Sequence, residues 1–215
     1  MKRKAKTHIW HQRHVNDPFV KLAGREGYRS RAAYKLQEID ARDRLLRPGM
    51  RIVDLGAAPG GWCQVIAEKL DGNGLVLAID LLPMAPVPGV TFVEGDFTED
   101  AVYQDMLRRL GGKPVDLVIS DIAPNITGIV VADQAKSYAL CELALDFAVR
   151  TLRPEGRFLI KVFQGAGFED FMRQMRAAFR SVAARKPQAS RDESREVYLL
   201  GQGLKVGVAD AGDFE

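Results

Sequence analysis

Short apolar runs alternate with amphipathic stretches along most of the chain. The clearest run follows Arg51, where Ile52, Val53 and Leu55 stand close together. Runs of this length without polar alternation are typical of strands that a parallel sheet buries on both faces. Seven strands are predicted in this way, at 51–55, 75–79, 90–93, 116–120, 156–162, 181–186 and 197–204.

Apolar residues with helical spacing fill the gaps between these strands. A helix is predicted over 30–44 with Ser30 as its N-cap, because a serine side chain accepts hydrogen bonds from the first free amides of a helix. Further helices are predicted at 61–70, at 137–152 and from Phe168 to Phe179. Strands that alternate with helices predict an α/β fold with a mainly parallel sheet, covered on both faces.

The turn after the first strand is rich in glycine and predicts a ligand site. Gly56, Gly60 and Gly61 permit a sharp turn and a close approach of the backbone to a ligand, and a nucleotide-like cofactor is the natural occupant. The dinucleotide fingerprint would need a glycine at Ala58, and Pro59 offers no N–H to a phosphate. A nicotinamide cofactor is therefore disfavoured, and a strand-to-helix turn without a ligand is the other alternative.

Four aspartates fall at or just beyond predicted strand ends, and they are Asp54, Asp80, Asp96 and Asp121. The carboxyl ends of parallel strands share one edge of a sheet, so we expect these side chains to gather there. Asp80 is placed to accept hydrogen bonds from ribose hydroxyls, while Asp96, beside the flat ring of Phe97, suits an adenine. The alternative for any one of them is a helix cap.

Positive charge is concentrated near the N-terminus. Residues 1–50 carry 13 Lys/Arg against 5 Asp/Glu, whereas residues 51–215 carry 18 against 23. Among the first basic residues stand Trp10, Phe19 and Tyr28, a pattern that favours contact with RNA through phosphates and unpaired bases. The alternative for this stretch is a solvated tail with an incidental charge run.

Composition bounds the class of protein. With 47% hydrophobic and 27% charged residues the chain is globular, and we divide it into a basic RNA-contacting extension (1–28), a folded domain (29–205) and an acidic tail (206–215). Cys63 and Cys141 lie among apolar residues and are expected to be reduced core thiols. No metal site is expected, because His8, His11 and His14 have no cysteine or acidic residue at ligand spacing. No apolar run reaches the length of a membrane span, so we expect a soluble, cytoplasmic protein, with an organellar transit peptide as the open exception.

Several segments together resemble the signature segments of one enzyme family. They are Asp54–Trp62 (DLGAAPGGW), Ser120–Asn125 (SDIAPN), Lys161–Gly165 (KVFQG) and Ser194–Tyr198 (SREVY), with Ser30–Leu36 (SRAAYKL) before them. The first resembles motif I of S-adenosylmethionine-dependent methyltransferases. The whole set, in this order, resembles the FtsJ/RrmJ (RlmE) family of ribose 2′-O-methyltransferases.

The resemblance implies a Rossmann-like S-adenosylmethionine-dependent methyltransferase fold, with a seven-stranded, mainly parallel sheet whose last strand is antiparallel. It also implies that the protein methylates the 2′-hydroxyl of a uridine ribose in 23S ribosomal RNA during ribosome assembly. We expect the protein to be a monomer. The implied catalytic tetrad is Lys35, Asp121, Lys161 and Glu196. With the residues of the turn and of the strand ends, the expected cofactor-binding residues are Asp54, Gly56, Gly60, Gly61, Trp62, Asp80, Asp96, Phe97 and Asp121.

Strand geometry supports the tetrad independently. Lys161 and Asp121 end neighbouring parallel strands, and Glu196 begins an antiparallel strand whose N-terminal end lies at the same edge. A neutral Lys161 would act as a general base, whereas an ammonium would orient the ribose hydroxyl and stabilise its developing charge. The neighbouring carboxylates of Asp121 and Glu196 favour the ammonium form. The structural alternative for Lys161 is a surface ion pair with Asp121. For the whole chain, the alternatives are an inactive methyltransferase-fold RNA-binding or ribosome-assembly factor and a nicotinamide-dependent oxidoreductase.

Overall fold

The computed structural model describes residues 17–124, 128, 130–191 and 193–205, and within these ranges it contains six helices and seven strands. The helices are α1 (Pro18–Glu26), α2 (Ala32–Asp43), α3 (Gly61–Leu70), α4 (Asp100–Arg109), α5 (Val130–Thr151) and α6 (Phe168–Ala178). The strands are β1 (Arg51–Leu55), β2 (Leu75–Asp80), β3 (Val90–Glu94), β4 (Val115–Ser120), β5 (Leu152–Phe163), β6 (Phe179–Arg185) and β7 (Glu196–Leu204).

All these strands belong to one sheet, in the order β3-β2-β1-β4-β5-β7-β6. Strands β1 to β5 pair with one another in parallel, whereas β7 is antiparallel to both β5 and β6. The predicted α/β fold, with a seven-stranded, mainly parallel sheet and an antiparallel last strand, is confirmed. The strand order reverses between β1 and β4, which places a crevice at the C-terminal ends of these two strands.

Both faces of the sheet are apolar. Successive side chains of a strand point to opposite sides of the sheet, and in the central strands apolar residues occupy both sides. In β1, Ile52 packs into the layer of α2 and α3, while Val53 and Leu55 pack into the layer of α4, α5 and α6. Strand β4 repeats the alternation with Leu117 and Val118. The sheet is therefore held rigidly from both sides, and its C-terminal edge is a fixed platform for a site.

Helix α1 lies within the segment predicted as a basic extension. Asp17 caps it, since its Oδ1 accepts a hydrogen bond from the amide of Phe19 at 3.0 Å. The rings of Phe19 and of Tyr28 each lie 5.7 Å, centroid to centroid, from the ring of Tyr34 in α2. Both aromatic residues are thus packed against the rest of the protein. Trp10, the histidines and the acidic tail lie outside the described residues.

The predicted cap of the second helix is wrong. Helix α2 begins at Ala32 after an N-cap at Arg31, and no side chain caps it. The side chain of Ser30 instead lies against Gly61 at the start of α3, where a Cβ would come within 2.4 Å of Ser30 Oγ. A contact between Ser30, in the turn before α2, and the start of α3 has taken the place of the local cap.

Some predicted element ends are wrong as well. Phe179 begins β6 rather than ending α6, and its ring is buried and stacks on Phe158 of β5 at 6.2 Å. Helical spacing from Met175 puts position 179 on the core side in either conformation, so periodicity cannot separate the two. Helix α5 begins at Val130 and β5 at Leu152, both earlier than predicted, and α4 has no counterpart among the predicted helices.

The remaining general expectations concern thiols and the membrane. Cys63 and Cys141 are buried and unbridged, as predicted. In the part of the chain that the structure describes, no helix combines the length and the apolarity needed to cross a bilayer. Within the same ranges, no group of three or more His, Cys, Asp or Glu side chains is arranged to hold a metal ion.

Candidate active site

The C-terminal ends of the parallel strands bring the predicted aspartates to one edge of the sheet. Asp54 lies near the end of β1, Asp80 ends the neighbouring β2, and Asp121 directly follows β4 on the other side of β1. Asp96 follows the end of β3. The expected gathering of these side chains at one edge is therefore observed.

Lys161 and Asp121 form the central ion pair of this edge. Lys161 Nζ in β5 is 3.0 Å from Asp121 Oδ1 and donates to the backbone oxygen of the same residue at 2.5 Å. Tyr198, which lies opposite Lys161 in β7, donates its hydroxyl to the same Oδ1 at 2.7 Å. Because Lys161 is only 8% exposed, this is not the weak surface ion pair of the structural alternative.

Lys35 and Glu196 form a second ion pair beside the first. Lys35 Nζ reaches from α2 to within 2.6 Å of Glu196 Oε1 at the start of β7, and both side chains are largely buried. Lys186 donates to the backbone oxygen of Glu196 at 2.7 Å and so holds the entry to the strand. The ring of Tyr198 lies 5.8 Å from Lys35 Nζ, so this tyrosine contacts both pairs. The structure thus brings all four predicted tetrad residues together.

The lysine charges control the protonation of the carboxyl groups. Burial raises the pKa of Asp121, but the nearby charges of Lys161 and Lys35 and the hydrogen bonds to its carboxylate outweigh burial, so its pKa lies below the usual value. Burial also raises the pKa of Glu196, and Lys35 again brings it below the usual value. Burial and the charge of Asp121 raise the pKa of Tyr198 well above that of a free phenol. At neutral pH the site therefore holds two carboxylates and a neutral phenol.

A cavity of about 740 Å³ opens along this edge of the sheet. Its polar lining is formed by Asp80, Asp96, Asp121 and Lys136, together with the backbone at Gly56 and Ala58. Its apolar lining includes Leu81, Leu82, Phe97, Ile122 and Leu140. This size and this mixed lining are those of a site for a nucleotide-sized ligand.

Asp80 and Asp96 border the cavity and also hold neighbouring backbone. Asp80 accepts hydrogen bonds from the amide of Ala58 at 2.9 Å and from the amide of Leu82 at 2.8 Å, one on each carboxylate oxygen. Each oxygen retains a second lone pair, so both can still accept a hydrogen bond from a ligand hydroxyl. Asp96 Oδ1 accepts the amide and the hydroxyl of Thr98 at 2.9 and 2.7 Å. Phe97 is 8% exposed, so most of its ring belongs to the core.

The three predicted glycines have different surroundings. Gly56 borders the cavity at a φ of +79°, and a Cβ there would lie 2.9 Å from Cβ of Ile122. Gly60 and Gly61 do not line this cavity. The space beside Gly60 is filled by the side chains of Arg29 and Met84. The glycine turn therefore accommodates neighbouring parts of the chain as well as the cavity.

Asp54 lies beneath the glycine turn, at a separate cavity of about 60 Å³ that Asp121 also borders. It is 1% exposed, and its Oδ2 accepts a hydrogen bond from Cys63 Sγ at 3.3 Å. Burial raises the pKa of Asp54 to about 7, and the charges of Asp121 and Asp80 act in the same direction, against the hydrogen bond from Cys63. The structure does not bring Asp54 to the wall of the larger cavity.

Trp62 and Tyr198 pack against each other behind the tetrad. Their ring centroids are 5.8 Å apart, and Trp62 Nε1 donates to the backbone oxygen of Ala32 at 2.8 Å. The indole borders the smaller cavity and not the larger one. Tyr198 has no role in the sequence-based predictions. The available signal was its position two residues after Glu196, because such positions share one face of a strand.

Solved structures share this architecture. The chain aligns with a crystal structure described as a ribosomal RNA methyltransferase from Plasmodium falciparum, at 30% identity and a TM-score of 0.75, over 82% of this chain and 98% of that one. It aligns with a structure of the fibrillarin/Nop5p complex at 18% identity and a TM-score of 0.53, over 74% of each chain, which is a likeness of fold alone. The reversed β7, the glycine turn after β1 and these likenesses define the class as Rossmann-like methyltransferases.

Sequence comparison narrows this class to one family. Residues 28–204 match the model of the FtsJ-like methyltransferases. Ribosomal RNA large subunit methyltransferase E of Azoarcus sp. (strain BH72) is 60% identical over 205 residues, which cover 95% of this chain and 100% of that relative. The protein of the same name from Thiobacillus denitrificans is 60% identical over 193 residues, or 90% of this chain and 88% of the relative. The chain belongs to the FtsJ-like methyltransferase family, which confirms the resemblance seen in its signature segments.

Proposed function

We propose that this protein transfers a methyl group from S-adenosylmethionine to the 2′-hydroxyl of a uridine ribose in 23S ribosomal RNA, during assembly of the large subunit. The observation that carries the proposal is the buried Lys161–Asp121 pair, whose carboxylate also borders the 740 Å³ cavity. The two relatives described above act, by their names, on large-subunit ribosomal RNA. All four tetrad residues come from one chain, which supports action as a monomer.

The lining of the cavity fits S-adenosylmethionine. The carboxylate of Asp80 has free lone pairs for the two ribose hydroxyls of the cofactor, and the apolar side chains of Leu81 and Leu82 suit its adenine. The negative charge that Asp121 carries at neutral pH suits a positively charged sulfonium. When bound, the cofactor would supply an electrophilic methyl group for transfer to the ribose oxygen, with its sulfonium sulfur as the leaving group.

The tetrad prepares the ribose hydroxyl for this attack. An ammonium has three N–H donors, and Lys161 directs two of them to oxygens of Asp121, which leaves the third for the ribose oxygen. In this form Lys161 orients the hydroxyl and stabilises the charge that develops on oxygen, and the proton leaves to water. A neutral Lys161 would take the proton itself. The Lys35–Glu196 pair supports the first pair from the side through Tyr198.

We assign the RNA contact to the N-terminal extension and to the surface beside the tetrad. Asp17, the first described residue, pairs with Arg31, and its Oδ2 is 3.6 Å from Nε of Arg191. Asp17 therefore lies beside the segment that leads into Glu196. The side chain of Arg191 is 43% exposed, and it adds a basic group to this surface. Such groups supply phosphate contacts, which dominate affinity for RNA.

The function is tested by mapping 2′-O-methyl sites in ribosomal RNA from cells with and without the gene. We expect loss of one ribose methyl group in the large-subunit RNA, restored by the wild-type gene and not by Lys161→Ala. An unchanged methylation map would contradict the proposal and favour an inactive RNA-binding or ribosome-assembly factor. Calorimetric titration with S-adenosylmethionine and with NAD addresses the oxidoreductase alternative, since only the first should bind.

Deletion of residues 1–16 tests the assignment of the RNA contact while leaving Asp17 and α1 in place. We expect unchanged affinity for S-adenosylmethionine, weaker RNA binding and a salt dependence whose log–log slope is shallower by about 0.7 to 0.9 for each phosphate that the protein no longer neutralises. Deletion of the acidic tail, residues 206–215, is the matched control and should not flatten the slope. An unchanged slope after the N-terminal deletion would show a solvated tail.

A further inference from the structure

Arg29 joins two loops that flank the cofactor cavity. It precedes α2 and lies between the glycine turn after β1 and the segment 81–88 after β2. Its Nη1 donates to the backbone oxygens of Pro59 at 3.2 Å and of Ala85 at 2.6 Å, and its Nη2 donates to that of Pro86 at 2.8 Å. Its own amide donates to Gln64 Oε1 at 2.8 Å, which fixes the backbone from which the side chain extends. One side chain thus holds carbonyl groups of both loops.

Gly60 makes room for this guanidinium. With φ at +103°, an added Cβ would lie 2.7 Å from Arg29 Nη1 and 2.8 Å from Met84 Sδ. Met84 is itself buried, in a small apolar cluster with Ala57 and Val87. We expected the space at Gly60 to allow a close approach of the cofactor. Arg29, which is hydrogen-bonded to both the turn and segment 81–88, occupies this space together with Met84.

Segment 81–88 carries part of the cavity wall. Leu81 and Leu82 are each 65% exposed and line the cavity directly after Asp80. The hydrogen bond from the amide of Leu82 to Asp80 holds the start of the segment. Further along, buried Met84 packs into the protein, and two Arg29 hydrogen bonds, to the backbone oxygens of Ala85 and Pro86, hold the exposed chain beyond it. The position of the wall relative to the glycine turn thus depends on Arg29.

We propose that Arg29 is a positioning residue for S-adenosylmethionine, which holds the 81–88 wall against the glycine turn in the arrangement that receives the cofactor. The inference rests on S-adenosylmethionine as the occupant of the cavity. The acceptors are neutral carbonyl groups on two loops, and a planar guanidinium reaches them with N–H groups in fixed directions on two nitrogens, whereas an ammonium donates from a single nitrogen. Geometry, rather than charge alone, therefore matters at this position.

The competing role for Arg29 is a phosphate contact, since it belongs to the basic N-terminal part of the chain. The test compares Arg29→Ala and Arg29→Lys with the wild type. Arg47→Ala is the matched control, because Arg47 is exposed and lies before β1, at the opposite edge of the sheet. Calorimetry gives the affinity for S-adenosylmethionine, steady-state assays give KM and kcat, and titrations at several salt concentrations give the affinity for RNA.

Both Arg29 variants should bind S-adenosylmethionine about tenfold more weakly, with KM raised by the same factor. The value of kcat at saturating cofactor should stay within about twofold, because the tetrad is untouched. Arg47→Ala should change none of these values. Amide hydrogen exchange without cofactor should be faster across residues 81–89 in both Arg29 variants and unchanged in β1.

Three results would overturn this role. Full cofactor affinity in Arg29→Lys would show that charge suffices, and unchanged exchange across 81–89 would show that Arg29 does not hold the wall. Weaker RNA binding with a shallower salt slope, at unchanged cofactor affinity, would assign Arg29 to the RNA instead. Should Arg29→Ala not fold, Arg29→Lys alone decides, since it keeps the charge and the length of the side chain. A wild-type protein that does not bind S-adenosylmethionine would refute the proposed function itself, which separates the two failures.

Discussion

Asp54 and Asp121 lie at the ends of neighbouring strands, yet their carboxyl groups have opposite pKa shifts. Burial raises the pKa in both cases. Among the described residues no ion pair involves Asp54, which accepts only the weak thiol donor of Cys63, and its pKa rises to about 7. Asp121 forms an ion pair with Lys161 and accepts a hydrogen bond from the hydroxyl of Tyr198, and its pKa falls below the usual value.

The charged neighbours of Asp121, together with its greater exposure, explain why this carboxyl group is the negative one at this edge. The negative charge resides on Asp121, where it holds Lys161 beside the cavity. One strand away, Asp54 lies beneath the glycine turn at the smaller cavity, and burial raises its pKa to about 7. Two aspartates that look alike in the sequence thus have opposite pKa shifts, and a role in the reaction is proposed for Asp121.

Removal of Lys161 should have the largest effect on the difference between Asp54 and Asp121. Lys161→Ala deletes the main positive neighbour of Asp121 and the group placed for the ribose oxygen, so we expect a transfer rate lower by about 10²–10⁴-fold, roughly 3–5 kcal/mol in the barrier. The affinity for S-adenosylmethionine should stay close to that of the wild type. Single-turnover transfer at saturating cofactor isolates the chemical step. A wild-type rate in this variant would contradict the catalytic assignment.

Lys161→Arg sharpens the same test. Arginine keeps the positive charge but does not deprotonate, and its head is bulkier and planar. Measurable transfer by this variant would exclude Lys161 as the general base and would support its action as an ammonium. A variant as inactive as Lys161→Ala is expected if Lys161 takes the proton.

The unpaired carboxyl group should be visible in the pH dependence of stability. Because the folded-state pKa of Asp54, about 7, lies above its unfolded value of about 3.9, the folded protein binds more protons between these values and loses stability as the pH rises through them. Asp54→Asn should remove this loss, which amounts to at most about 4 kcal/mol at 1.36 kcal/mol per pKa unit. Urea unfolding at pH 5 and pH 8 measures the part of this loss that falls between pH 5 and the folded-state pKa of about 7, about 3 kcal/mol, with the exposed Asp146→Asn as control. An unchanged pH slope would mean that Asp54 is ionised throughout.

Asp80 affects Asp54 through its charge and borders the same cavity as Asp121. Asp80→Ala removes one of the charges that raise the pKa of Asp54, and it removes the proposed acceptor for the cofactor ribose. We expect S-adenosylmethionine binding to weaken by about 1–3 kcal/mol, because hydroxyls in the site lose their partner. Calorimetry gives this value, and Asp71→Ala, in the turn after α3, is the control. Equal affinity in Asp80→Ala and wild type would exclude Asp80 as the ribose acceptor.

Tyr198→Phe should have the smallest effect. It deletes the hydrogen bond to Asp121 Oδ1 and keeps the ring that packs on Trp62. The loss of one donor to a carboxylate should lower the transfer rate by about tenfold or less and raise the pKa of Asp121. The acidic limb of the pH–rate profile should therefore move to higher pH. An unmoved limb would show that the lysines alone keep Asp121 ionised.

Features that depend on a continuous stretch of sequence were predicted well. Helix α3 begins at Gly61 and ends at Leu70 as predicted, because the strand, the turn and the helix follow one another without interruption. The convergence of Asp121, Lys161 and Glu196 also follows from the order of strand ends once the direction of β7 is known, whereas Lys35 was predicted from the resemblance of the signature segments. The sheet and the residues at its C-terminal edge can therefore be predicted from the apolar runs, the turns and the signature segments.

Features decided by contacts between distant residues were not predicted. The extended conformation of Phe179 depends on β7 and on the ring of Phe158, neither of which its helical spacing reveals. The surroundings of Gly60 depend on Arg29 and Met84, and nothing in the spacing of the glycine turn shows what fills that space. Such roles arise only when separate parts of the chain meet.

The antiparallel course of β7 has a consequence for the synthesis of the protein. Arg185 pairs with both carboxylate oxygens of Asp43 at 2.7 Å, across 142 positions, and the amide of Gln188 donates to Glu38 across 150 positions. Contacts of this sequence separation carry a large loop-closure entropy and form late in folding. During synthesis the helix of Lys35 is made long before the strand of Glu196. A nascent chain that does not yet contain β7 therefore lacks the proposed tetrad and cannot carry out the proposed transfer.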